Sequence, residues 1–172
     1  MSTAPGRRRF LKTGIAGALL LATAGAAYRL ARPSDAAGSA GLDDGARQVL
    51  AAIVPVILAG ALRPGSTDAA AAVERTAAAV AGLPLSTQQE VRDLFALLAL
   101  APARRLLAGV PDGWAEARPQ DVAAFLQGWR VHRVKLLRGA YQALHDLVTG
   151  PWYAHESSWA AIGYPGPLKE LS

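Results

Sequence analysis

From Pro119 to the pair Gly150-Pro151 the apolar residues return every three or four positions: Val122, Phe125, Leu126, Trp129, Leu136, Leu137, Tyr141, Leu144 and Val148. That period belongs to an α-helix with one face turned to a core. Pro119 suits the first turn of a helix, where a backbone N–H has no partner to lose. The segment predicts one helix of about 46 Å, bent at Gly128 or Gly139, against which the other helices pack.

The preceding stretches carry the same signal. Asp43 or Asp44 is placed to cap a helix running to about Leu62, with Val49, Leu50, Ile53, Val54 and Ile57 as its apolar stripe. Pro55 lacks an N–H and crowds the carbonyl four residues back, which predicts a kink or break there. Thr67 or Asp68 opens a second helix to about Ala81, closed by Gly82-Leu83-Pro84. Ser86 and Gln89 have the spacing of a capping box for a third helix, Thr87 to about Leu100. Pro102 restarts a shorter segment through Ala108, and Gly109 to Gly113 reads as a loop. No stretch shows strand alternation or a hairpin signal. The predicted fold is all-α: an irregular helical bundle around one long C-terminal helix, with an aromatic Pro/Gly-rich tail and an N-terminal signal helix.

Charge separates the two ends of the chain. Of 18 basic residues in 172, six (Arg7, Arg8, Arg9, Lys12, Arg29, Arg32) precede residue 36, where the one acid is Asp35. The first 35 residues therefore carry the whole net charge of +5, and residues 36–172 are balanced. Such a distribution marks a leader rather than a nucleic-acid surface, which needs its cations on the folded domain.

Arg7-Arg8, a variable Arg9, then Phe10-Leu11-Lys12 resembles the twin-arginine export signal, with Gly6 in place of the usual hydroxyl residue. An uncharged run from Thr13 to Tyr28 follows. As a helix its 16 residues reach about 24 Å, short of a hydrocarbon core of about 30 Å. The expected organisation is a signal or uncleaved anchor at 1–32, a small flexible linker at 33–42 and a helical domain at 43–172. The expected location is periplasmic, at the inner membrane if the leader stays on. A folded-export signal on a plain helical domain suggests a folded passenger carried with it.

The chain has no cysteine, which excludes disulfides, thiolate zinc sites, iron–sulfur clusters and haem attached through C-x-x-C-H. Its one methionine is Met1, and no Gly-rich nucleotide loop is present. His132 and His145, placed on one helix, would lie about 220° apart and could not share a metal. His145-Asp146 and His155 with Ser157 and Ser158 leave an enzymatic reading open, though nothing resembles a nucleophile elbow.

Arg130, Arg133, Lys135 and Arg138 form a basic cluster with His132 beside Trp129. It reads either as a solvated face or as a docking row for an acidic partner. The tail gathers Trp152, Tyr153, Trp159 and Tyr164 before Pro165-Gly166-Pro167, and its rings suit a groove either of its own bundle or of another protein.

The order of Ala51-Ala52-Ile53-Val54-Pro55-Val56, Trp129-Arg130, Leu136 to Leu144, Trp152-Tyr153-Ala154 and Trp159 to Pro167 resembles the small subunits of periplasmic flavoprotein dehydrogenases. These are twin-arginine-leader proteins of the gluconate 2-dehydrogenase subunit 3 kind, partners of glucose-methanol-choline oxidoreductases. The resemblance implies a non-catalytic subunit that binds the large flavin-containing subunit and supports its maturation and export by the twin-arginine translocase. FAD then sits on the partner, this chain holds no cofactor or metal, and electrons leave for a cytochrome c subunit or quinone. The residues read as partner-binding are Trp129, Arg130, Arg133, Arg138, Tyr141, Trp152, Tyr153, Trp159 and Tyr164; those of the export signal are Arg7, Arg8, Phe10, Leu11 and Lys12. The competing reading is a periplasmic or membrane-tethered helical protein that binds a ligand of its own.

Overall fold

The computed structural model describes residues 41–166. The export-signal residues Arg7, Arg8, Phe10, Leu11 and Lys12, nearly all of the linker, and Pro167 lie outside the described residues.

Asp43 accepts a hydrogen bond from the Ala46 amide at 2.8 Å and caps α1 (Asp44–Ile57), so of the two candidate aspartates Asp43 is the cap and Asp44 the first helical residue. The helix runs through Pro55, which faces solvent, and ends two residues later rather than at Leu62. Exposed Ala51 lets the carbonyl that Pro55 cannot bond meet water. Val49, Leu50, Ile53 and Val54 are fully buried, and Leu58 closes the end from the following turn.

A turn leads to α2 (Asp68–Ala81). Arg63 grips buried Asp68 with Nε at 3.0 Å, Nη2 at 2.9 Å and its own backbone N–H at 3.0 Å. The Arg63 guanidinium first, and then the Arg63 amide, hold the Asp68 carboxyl well below the usual carboxylate range.

Helix α3 (Leu85–Ala99) starts after Pro84, two residues earlier than the capping-box spacing predicts. Ser86 therefore sits inside the first turn, and Gln89 donates to Asp93 instead. The joint is made by buried Gln88, whose amide donates to the Ala81 and Leu83 carbonyls at 3.0 and 2.8 Å. Those are orphan acceptors at the end of α2.

A short turn, α4 (Ala101–Ala103), widens into π-helical geometry over Arg104–Ala108. Gly109 ends it at φ 67°, a left-handed conformation costly for any side chain, and lets the Val110 amide bond the Arg104 carbonyl.

The long predicted helix is two helices: α5 (Pro119–Arg130) and α6 (Lys135–Ala154), broken at Val131–Val134. A rod of about 46 Å would overrun the neighbouring 14-residue helices of about 21 Å and leave much of its stripe unpaired. Breaking it folds both stripes onto one core. Helix α6 in turn passes through Gly150-Pro151, where a stop was expected.

The all-α reading holds: the described residues contain helices and turns and no strand. The centre is not the C-terminal helix. Helix α1 touches α2, α3, α5 and α6, while α6 packs chiefly on α2 and α5. Helix α1 meets its four neighbours through fully buried Val49, Leu50, Ile53 and Val54 and keeps Gln48, Ala51 and Pro55 in water, while α6 keeps a broader polar face outward. Among the described residues no helix is long and apolar enough to cross a membrane.

Candidate functional site

The residues read from the sequence as partner-binding fall into three environments. Trp129 and Trp152 are core residues, 3% and 4% exposed. Trp129 meets Phe125 edge-on at 4.8 Å, Phe125 meets Trp114 at 6.0 Å, and both indoles are satisfied internally: Trp129 Nε1 donates to the Leu107 carbonyl and Trp114 Nε1 to that of Leu98. Trp152 lies under the Arg75 guanidinium, 5.1 Å from its ring centre. Neither ring is free to anchor a partner, a correction that follows from the phase of each helix. Tyr141 is half-buried against the core, its ring tilted 36° to that of His145 with centres 5.8 Å apart.

The tail forms a unit of its own. Two 3-10 turns, Glu156–Ser158 and Ala160–Ile162, follow α6. His155 starts the first by accepting from the Ser157 amide through Nδ1. Gly163, at φ 69°, then reverses the chain so that the Tyr164 amide reaches the Trp159 carbonyl at 2.9 Å. The rings of Trp159 and Tyr164 close edge to face at 5.3 Å, and Trp159 Nε1 donates to the Tyr153 carbonyl at 3.1 Å. Trp159 is thus the half-buried strut, while Tyr153, Ile162 and Tyr164 present apolar surface to solvent. Helical period does not single out Ile162, which stands exposed immediately before the reversal at Gly163.

The basic cluster occupies the corner between α5 and α6. Every residue from Arg130 to Leu136 is exposed. The loop is tied from within: His132 Nδ1 accepts from the Val134 amide at 3.1 Å, and Arg138 donates through Nη1 to the His132 carbonyl at 2.7 Å. With its backbone held inward, the corner turns out Val131 (66% exposed), Val134 (51%) and Leu136 (75%) between Arg130, Arg133 and Lys135. The periodicity placed Leu136 on the core stripe. The break resets the helical phase and puts Leu137, not Leu136, against the core.

His145 pairs with Asp146 at 3.2 Å, and the carboxyl is held below its ordinary value first by the Gln142 amide and then by His145. Ser157 instead meets His155 at 3.0 Å. The serine and the aspartate of a would-be triad thus face different histidines. His132 lies in the break and not on the helix of His145. Among the described residues no group of three or more histidine or acidic side chains is arranged to hold a metal.

Comparison of the chain with known protein families, with curated proteins and with solved structures finds no match in any of the three.

Proposed function

We propose that this chain is the small, non-catalytic subunit of a periplasmic flavin-dependent dehydrogenase acting on alcohols, polyols or sugars. It binds the large glucose-methanol-choline-type subunit and supports that subunit's maturation and twin-arginine export. The flavin belongs to the large subunit, and a cytochrome c subunit or quinone takes the electrons. An uncleaved leader would hold the pair at the inner membrane.

The observation that carries this reading is the tail. It spends no ring on the bundle core beyond Trp152, yet it is ordered by its own Trp159–Tyr164 clamp, with Tyr153, Ile162 and Tyr164 left in solvent. Rigid aromatics already held in place lose little entropy when a partner covers them. The same residues are the most specific part of the sequence resemblance, Trp152-Tyr153-Ala154 and Ile162 to Pro167.

The proposal expects a neighbouring gene to encode a flavoprotein, and co-expression with that protein tests it. The two should co-purify, and Arg7-Arg8→Lys-Lys should strand both in the cytoplasm. A flavoprotein that reaches the periplasm unaided, or an isolated small chain that is yellow with bound flavin, overturns it.

A further inference from the structure

We propose that the α5–α6 corner is a contact site for an anionic lipid surface, with Val131, Val134 and Leu136 entering the interface and Arg130, Arg133 and Lys135 meeting the headgroups. Three observations combine. Three of the described chain's exposed large apolar side chains fall within six consecutive residues. The same residues alternate with cations, and no Asp or Glu occurs between Asp121 and Asp146, although residues 41–166 as a whole carry 11 basic and 11 acidic side chains. The corner is also held in place, because the Val134 amide donates to His132 Nδ1 and Arg138 donates to the His132 carbonyl, while Val131, Val134 and Leu136 stay exposed.

Charge selects the occupant. A second copy would bring the same cations to the same place, and the leader, at +5, is repelled as well. The occupant is therefore anionic. Three apolar side chains interleaved with cations offer little continuous apolar area for a protein interface, which needs a larger complementary patch. A fluid interface needs no such patch, and apolar tips among Lys and Arg are the pattern that enters it. Leu136 and Tyr153 stand near opposite ends of α6, about 26 Å apart along its axis. The corner can thus lie on lipid whatever the tail holds.

The absence of cysteine makes the test site-specific. In the full chain, Leu136→Cys and, as a remote control, exposed Leu85→Cys on α3 each carry one environment-sensitive fluorophore. Vesicles are phosphatidylcholine alone or phosphatidylcholine with roughly one-third phosphatidylglycerol. The dye at 136 should brighten severalfold and shift blue on the anionic vesicles only, the dye at 85 should not respond, and about 1 M salt should reverse the signal. Arg130→Gln/Arg133→Gln/Lys135→Gln should weaken the response about a hundredfold, at roughly fivefold per charge. Because the leader is common to all variants, vesicle binding that leaves the dye at 136 silent overturns the proposal. Equal brightening on neutral vesicles, or brightening with protein concentration in the absence of lipid, overturns it too.

Discussion

Trp152 and Tyr153 are neighbours in the chain and opposites in environment: one is buried beneath Arg75, the other faces solvent beside the tail. Trp152→Ala removes a core ring and its cation–π partner and should cost about 3–5 kcal/mol in urea unfolding. Tyr164→Ala touches exposed surface and should cost less than about 1 kcal/mol while lowering co-purification of the large subunit. A melt that falls equally for both would place Tyr164 in the bundle rather than at an interface. Asp68 supplies the clearest pH dependence. Its carboxyl is held low by the Arg63 fork and amide. The unfolded chain takes up a proton there below about pH 4, while the folded chain resists it. The pair's contribution is therefore full above about pH 5 and is lost as the solution is acidified toward the folded value. Asp68→Asn should show a constant deficit against the parent from about pH 5 to 8 and a shrinking one below about pH 4.

Among the elements, the corner and the tail are each held by a few polar contacts and one special backbone position. Arg138→Ala removes the donor that ties the His132 carbonyl. Amide exchange over Val131–Val134 should rise about five- to tenfold, since one such bond is worth roughly 1–1.5 kcal/mol, with global stability unchanged. At Gly163 a methyl meets no neighbour, so Gly163→Ala tests the left-handed backbone alone. It should cost about 1–2 kcal/mol of local order, seen as loss of the near-ultraviolet signal of the Trp159–Tyr164 pair. An unchanged spectrum would show that the reversal does not depend on glycine.

For the whole molecule, the core holds α1 at its centre and leaves apolar surface at the two ends of α6, the corner at 131–136 and the tail at 153–164. The proposed roles divide accordingly, lipid at one end and the dehydrogenase subunit at the other. Combining Tyr164→Ala with the triple Gln variant should then leave each loss in its own assay unchanged, because the two sites flank opposite ends of α6 and share no partner.

Period and caps were enough to establish the all-α class, a cap at Asp43 or Asp44 and the inward face of α1, because each is decided within a few turns of chain. The apolar pattern could not reveal the break at Val131–Val134, since whether a stripe continues depends on how far the neighbouring helices reach. The same ignorance put Leu136 inside and left Trp129 and Trp152 open as surface anchors. Burial is a property of what lies opposite a side chain, and only the packed bundle settles that: it drew the two tryptophans into the core and turned the corner and the tail outward.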